Sequence, residues 1–149
     1  MPVTMKQVRA HLDPDEPDYA AAAQLGPGAI PHLKQLVQGA DPMLASKAAY
    51  LASLIQSGQS ADVLELAARS SHDEVRVAAA AGLRNLSQVP EPLLDNLLKD
   101  LDPGVRKVTL RSLAAKPVAG VKTKVEDIAK NDPDELLRDL AKDIFNRLP

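Results

Sequence analysis

The sequence has no cysteine and no tryptophan, and its only aromatic residues are one phenylalanine and two tyrosines. Without cysteine the chain has neither a disulfide framework nor a thiolate that could act as metal ligand or nucleophile. Hydrophobic residues make up 45% of the chain but aromatics only 2%, so alanine and leucine must supply most of the buried surface. A core of such small side chains suits helices that approach each other closely.

The chain also lacks a strong charge imbalance and any long apolar run. Eighteen Lys and Arg against twenty Asp and Glu give a formal net charge of -2, which offers no global attraction to nucleic acid or to an anionic membrane. No uncharged apolar run approaches the roughly 18 residues of a membrane-spanning helix, and the first residues lack the apolar segment of a signal peptide. These features predict a cytoplasmic protein that does not contact membranes.

One apolar position, here called the anchor, recurs about every 30 residues, a period typical of stacked helical repeats. The anchors are Leu44, Val75, Val105 and Leu136. Each repeat is predicted to hold a first helix, before the anchor, and a second helix, which contains it. Two further apolar columns give the first helices one buried stripe. These columns are Leu33, Leu64, Leu94 and Val125, followed by Leu36, Ala67, Leu97 and Ile128.

Capping signals stand where the second helices are predicted to begin. An Asp followed by Pro at the first helical position satisfies free backbone N–H groups and fixes φ for the helix start. The four starts read Asp41-Pro42, His72-Asp73, Asp102-Pro103 and Asp132-Pro133. The last pair lies one residue further from its anchor, which we interpret as a frayed closing repeat. The buried column of its second helix is predicted at Leu140, Ile144 and Arg147.

The pattern predicts one all-α domain over residues 1–149, an α-α superhelix of about ten antiparallel helices. No segment is long enough to be a flexible linker between domains. The predicted divisions are an irregular N-terminal capping repeat at 1–27, regular repeats at 28–57, 58–89 and 90–119, and a C-terminal capping repeat at 120–149.

Two segments, residues 25–36 (LGPGAIPHLKQL) and 102–106 (DPGVR), resemble HEAT repeats. The similarity is to the short repeats of about 30 residues that also occur in phycobilisome-lyase-type subunits. The resemblance implies a HEAT-like α-solenoid whose first helices form a convex face and whose second helices line a concave one. It also implies a ladder in which the Arg after each anchor pairs with acidic residues of neighbouring repeats. Arg76 and Arg106 match that position, whereas Ala45 and Leu137 do not.

A catalytic constellation is missing from the sequence. The three histidines, His11, His32 and His72, fall in different repeats and are interpreted as surface or capping residues. The chain has no His-Glu dipeptide, which HEAT enzymes resembling deoxyhypusine hydroxylase need for their metal, and no glycine-rich phosphate loop. The acidic clusters at 13–18 and 132–135 suit helix starts better than cation binding. We therefore predict no enzyme activity, no catalytic residue, no cofactor and no metal site.

The outward side of the second helices carries a more informative signal. Positions two, three and six after each anchor should lie away from the buried column, and in the last two repeats four of these six are basic. They predict a groove that is apolar at its centre and cationic toward its C-terminal half. The candidate partner-binding residues are Lys47, Tyr50, Val77, Ala81, Arg84, Lys107, Arg111, Arg138, Lys142 and Phe145. The alternative is that the basic residues only solvate an exposed face and the apolar ones contact neighbouring helices.

These observations predict a scaffold or adaptor that binds another protein or a peptide, for example an acidic-hydrophobic segment, on its concave face. One alternative is binding of the nucleic-acid phosphate backbone by the C-terminal basic positions, as in HEAT-like DNA glycosylases. The net charge and the few aromatics argue against it. Another is a non-catalytic subunit of a lyase-type enzyme complex.

Gly82 is predicted to lie in the middle of a second helix, where glycine costs up to about 1 kcal/mol relative to alanine. A glycine at such a position suggests that a neighbouring helix approaches too closely for a larger side chain. The sequence thus predicts a close helix crossing at Gly82.

Overall fold

The computed structural model of the chain describes residues 2–149, and within that range it contains ten α-helices and no strand. The predicted all-α class and helix number are confirmed. Two short 3₁₀ turns, Pro27–Ala29 and Leu83–Asn85, adjoin helices. The α-helices are α1 (Met5–Leu12), α2 (Tyr19–Ala23), α3 (Ile30–Val37), α4 (Pro42–Leu54), α5 (Ser60–Ala67), α6 (Asp73–Gly82), α7 (Glu91–Leu98), α8 (Pro103–Ala115), α9 (Val121–Asn131) and α10 (Glu135–Arg147).

The helices are arranged as consecutive pairs. α3 packs on α4, α5 on α6, α7 on α8 and α9 on α10. The second members of the pairs, α4, α6, α8 and α10, also pack side by side in chain order, and α2 packs on α4 at the N-terminal side. This pairwise packing is consistent with repeats. Within the described residues, no helix is long and apolar enough to cross a membrane.

The Asp-Pro signals begin two of the second helices as predicted. The Asp41 carboxylate accepts hydrogen bonds from two backbone N–H groups in the first turn of α4, and Pro42 is the first helical residue. Asp102 does the same for one N–H group of α8, which begins at Pro103. His72 precedes α6 without a side-chain capping bond. The short polar turns between helices therefore end each first helix and start the next.

The core is built from leucine, valine and alanine. Both columns predicted for the first helices are buried at every position, and so are the anchors Val75 and Val105, while Leu44 is half-buried. Alanines fill the contact between α4 and α6. The buried ones are Ala45, Ala48, Ala49, Ala52, Ala79 and Ala80. Side chains this small let the two helices approach closely, as the composition predicts.

The last repeat departs from the prediction by one residue. Leu136 is 78% exposed, whereas Leu137 is 3% exposed and occupies the anchor position. α10 is capped by Asp134, whose Oδ1 accepts the N–H groups of Leu136 at 2.8 Å and Leu137 at 3.2 Å. Asp132 lies before this cap: its carboxylate binds Arg106 and also accepts the N–H group of Asp134.

This shift also changes which side chains of α10 are buried. The predicted column of Leu140, Ile144 and Arg147 is wrong at its first and last members, since Leu140 is half-buried and Arg147 is exposed. The prediction of a frayed closing repeat is wrong as well, because α10 is a regular helix with a cap. The buried residues of α10 and the turn after it are Leu137, Ala141, Ile144 and Leu148.

The predicted close crossing at Gly82 is confirmed, although Gly82 is the last residue of α6 and does not lie in the middle of that helix. A Cβ atom added to Gly82 would lie 2.8 Å from Cβ of Ser53 in α4 and 3.1 Å from Cδ2 of Leu64 in α5. Real Cβ atoms essentially never lie within 3.0 Å of another heavy atom, so a larger residue at position 82 would require α4 or α6 to shift.

Candidate functional site

The packed second helices leave one row of side chains directed away from their buried columns. We call this row the second-helix face and define it by positions two, three and six after the anchors, with Leu137 as the last anchor. Every member is at least partly exposed. The members are Ser46, Lys47, Tyr50, Val77, Ala78, Ala81, Lys107, Val108, Arg111, Asp139, Leu140 and Asp143.

The N-terminal part of this face is tied to the first helices. The Lys47 ammonium group donates to the carbonyl oxygens of Leu12 at 3.1 Å and Pro14 at 2.8 Å, which holds the end of α1 against α4. The Tyr50 ring meets the Tyr19 ring edge to face, with ring centroids 5.0 Å apart. Burial, and to a smaller extent the neighbouring Tyr50, raises the pKa of the Tyr19 hydroxyl above its ordinary value. Lys47 and Tyr50 thus stabilise the fold at this end.

The centre of the face is apolar. Val77, Ala78 and Val108 are half-buried, and all three pack against the core while leaving part of their surface to solvent. Ala81 is half-buried beside them on α6. These residues therefore contact neighbouring helices, as one interpretation states. They also present an apolar strip to solvent, as a binding groove requires.

The charge of the C-terminal part differs from the prediction. Lys107 and Arg111 are exposed one helical turn apart on α8. The corresponding positions on α10 are Asp139 and Asp143, also exposed, and Asp143 forms an ion pair with Arg147. The face therefore carries a basic pair followed by an acidic pair, where the sequence predicted a groove that is cationic toward its C-terminal half through Lys107, Arg111, Arg138 and Lys142.

Arg138 and Lys142 lie on another surface. They are one and five residues after Leu137, positions that on α8 are held by Arg106 and Leu110 and are buried. Because α10 covers those α8 positions, their counterparts on α10 face away from α8, toward where a further helix pair would pack. We call this side of α10 the C-terminal face.

The two remaining candidates also lie off the second-helix face. Phe145 shares the C-terminal face, where Nζ of Lys122 lies 5.2 Å from its ring centroid. Arg84 is exposed in the turn after α6, and its Nη2 lies 3.4 Å from Oγ of Ser112 in α8. The structure therefore groups six of the ten candidates on the second-helix face, namely Lys47, Tyr50, Val77, Ala81, Lys107 and Arg111.

A ladder of ion pairs joins the last three helix pairs. Nε of Arg76 donates to Oδ2 of Asp100 at 2.9 Å, and Nε of Arg106 donates to Oδ2 of Asp132 at 2.8 Å. Each acid belongs to the turn of the following pair. The second ion pair is the more deeply buried, with side chains 9% and 3% exposed. The pairing that the resemblance implies for Arg76 and Arg106 is confirmed.

Arg138 occupies the same ladder position, which the sequence prediction missed. Each of the three arginines donates from Nη1 to the carbonyl oxygen six residues earlier, and for Arg138 this acceptor is Asp132 at 2.7 Å. An Asp or Ser six residues before an Arg was the signal that could have found it. That spacing recurs at 70 and 76, 100 and 106, and 132 and 138.

A cleft between α7 and α9 was not predicted from the sequence. Its volume is ≈ 840 Å³, and its apolar lining includes Leu86, Val89 and Val118. Lys124 reaches across it from α9 to bind Asp95 at 2.7 Å and Glu91 at 3.0 Å on α7. The hydrogen bond to Asp95, and to a smaller extent that to Glu91, raises the pKa of the Lys124 ammonium group above its ordinary value.

Among the described residues, no three His, Asp or Glu side chains are grouped so that they could hold a metal ion. His32 has a structural contact instead, with Nε2 2.8 Å from the carbonyl oxygen of Val3.

Replacing Lys124 with methionine should lower the free energy of unfolding by up to about 1 kcal/mol at neutral pH, because the ion pairs are partly solvated. The folded-state pKa is raised, so this stabilisation is present below the ordinary lysine pKa of 10.5 and is lost as the pH rises through the folded-state value. Urea unfolding of the wild type and of Lys124→Met, at pH 7 and above pH 11, would measure this stabilisation. An equal difference at both pH values would contradict an electrostatic origin.

No protein-family model matches the chain, and no curated protein matches it.

Proposed function

We propose that this protein is a non-enzymatic, HEAT-like α-solenoid scaffold that binds a segment of another protein on its second-helix face. The observation that carries the proposal is the side-by-side packing of α4, α6, α8 and α10. This packing turns separate helix surfaces into one row, in which an apolar strip borders the exposed basic pair Lys107 and Arg111.

The chemistry of this row favours an acidic-hydrophobic segment. Apolar residues of the partner would cover Val77, Ala81 and Val108 and supply affinity, since apolar area removed from water drives association. Carboxylates of the partner would meet Lys107 and Arg111, which supply orientation and a faster encounter.

The acidic pair on α10 restricts the orientation in which the segment can bind. Asp139 and Asp143 repel a carboxylate placed beyond the basic pair, so the acidic part of the segment is confined to α8. They also weaken the case for binding a nucleic-acid backbone, which needs a continuous run of basic side chains.

Charge reversal of the basic pair tests the proposal. The variant Lys107→Glu/Arg111→Glu should lose at least about tenfold of partner recovered from nuclease-treated lysate, the equivalent of about 1.4 kcal/mol. The matched control is Arg69→Glu/Lys99→Glu, the same change in charge at exposed residues after α5 and α7. Circular dichroism of both variants verifies the fold.

The outcomes separate the candidate functions. A protein-binding face is supported if the wild type and the control recover the partner protein and the Lys107 and Arg111 variant does not. Equal recovery by all three contradicts it. Recovery that requires omission of the nuclease favours the nucleic-acid alternative.

A further inference from the structure

The last residue of the ion-pair ladder is an arginine, Arg138. It runs from Arg76 to Asp100, and from Arg106 to Asp132, and the Asp132 carbonyl then accepts Nη1 of Arg138. Within residues 2–149, no carboxylate lies in ion-pair contact with Arg138. Its guanidinium is nevertheless held by the same backbone bond that orients the other two arginines.

This geometry makes Arg138 a prepared carboxylate site. In Arg106 the Nη1 bond to a carbonyl leaves Nε and Nη2 to bind both oxygens of Asp132, at 2.8 and 3.1 Å. Two parallel bonds of this kind are the strong, geometrically specific mode of carboxylate recognition by arginine. Arg138 has the same backbone bond, and within residues 2–149 neither its Nε nor its Nη2 donates a hydrogen bond.

The surroundings of Arg138 add positive charge. Lys142 is exposed one turn further along α10, and Lys122 lies over the ring of Phe145 on the same face. A carboxylate bound to Arg138 would therefore lie near further cations. In contrast, the carboxylates of Asp100 and Asp132 each bind one arginine.

The opposite end of the stack presents the complementary charge. The turn between α1 and α2 carries four exposed carboxylates, on Asp13, Asp15, Glu16 and Asp18. Asp100 and Asp132 occupy the corresponding turns of the α7–α8 and α9–α10 pairs, and each faces the preceding pair. All four of these side chains are exposed, so this acidic turn is open to a partner.

We infer that copies of this chain associate head to tail, with the acidic turn at 13–18 of one copy binding Arg138 and Lys142 of the next. The contact repeats between molecules the arginine–carboxylate bond that joins helix pairs within one molecule. Each copy offers both halves of the contact on opposite ends, so the association is heterologous and extends into open chains. This self-assembly is separate from partner binding on the second-helix face.

Light scattering and sedimentation of the purified chain test the inference. From about 1 μM to about 1 mM, a range that spans weak protein contacts, the mean mass of the wild type should rise steadily. The rise should be smaller at high salt, because exposed charges are screened.

Two neutralised variants identify the contact. The turn variant Asp15→Asn/Glu16→Gln and the face variant Arg138→Gln/Lys142→Gln should each self-associate at least about tenfold more weakly than the wild type. An equimolar mixture should form dimers and no longer species, because each mixed pair has one intact contact. Lys142→Gln alone, at an exposed residue, keeps the test valid if the change at Arg138 disturbs the fold.

Three results would overturn the inference. They are a wild type that stays monomeric over the whole range, a face variant that associates as strongly as the wild type, and a mixture that never exceeds the monomer mass. Loss of association in Lys107→Glu/Arg111→Glu would also overturn it, because the contact would then lie on the second-helix face.

Discussion

Replacing Arg106 with methionine is expected to lower the free energy of unfolding by about 3–5 kcal/mol, the cost of leaving a buried charge without its partner. The change would strand Asp132, whose side chain is 3% exposed and receives both Nε and Nη2 of Arg106. It would also leave the Asp100 carbonyl without the Nη1 hydrogen bond. For a domain of this size, the melting temperature should fall by at least about 6 °C.

The equivalent change at Arg138 is the matched control. Arg138→Met removes the same kind of bond to a backbone carbonyl but strands no carboxylate among the described residues, so its cost should be about 1 kcal/mol. Urea unfolding of both variants gives the comparison. Equal losses at the two positions would show that the ion pair with Asp132 contributes nothing beyond the backbone bond. A double variant with Asp132→Asn should then recover part of the Arg106→Met loss, because the stranded charge is gone.

Gly82→Ala should destabilise the protein by about 1–3 kcal/mol, the usual cost of adding a methyl group to a filled core. Alanine is the better helix former, so the sign of the change in stability depends on the space around the new Cβ. At 2.8 Å from Cβ of Ser53, the methyl group meets an atom fixed to the α4 backbone, which cannot move alone. Thermal unfolding followed by circular dichroism would measure the loss.

Gly58→Ala provides the control for that prediction. A Cβ added at Gly58 meets no atom within 4 Å, so this change should be neutral or slightly stabilising. Ser53→Gly in the Gly82→Ala background should recover part of the loss by reopening the crossing. An increase in melting temperature on Gly82→Ala would mean that α4 and α6 separate without cost.

The parts of the fold that follow from local patterns were predictable. The columns through Leu33 and Leu64 are buried because a spacing of three and four residues selects one side of any helix. Asp41-Pro42 begins α4 because its capping bonds involve only neighbouring residues. The crossing at Gly82 was also predictable, since glycine inside a helix needs a compensating reason.

The error at α10 has a physical cause that lies outside its own segment. Asp132-Pro133 carries the same local signal as Asp41-Pro42, but the Asp132 carboxylate is engaged by Arg106 from the preceding pair. Asp134 caps the helix, and the buried column moves by one residue. Asp132 takes the place that Asp100 has two residues before the cap Asp102, and the ion pair that marks this place joins residues 26 positions apart, which local capping rules do not contain.

The same shift explains why the candidate site was only partly predictable. Lys107 and Arg111 were placed correctly as exposed residues because the anchor Val105 was correct. The sequence pattern places Arg138 and Lys142 on the wrong side of α10 because it puts the anchor at the exposed Leu136 and not at the buried Leu137. The cleft beside Lys124 gave no sequence signal, since it depends on the separation of two helices.

The edge-to-face contact between Tyr19 and Tyr50 gives the molecule a localised optical reporter. These are its only tyrosines and it has no tryptophan, so essentially all of its intrinsic fluorescence originates where α2 meets α4. Peptide-bond dichroism, in contrast, averages over every helix. Coincidence of the two signals during denaturation would mean that the stack melts as a unit, whereas an earlier change in emission would reveal fraying from the amino-terminal helices.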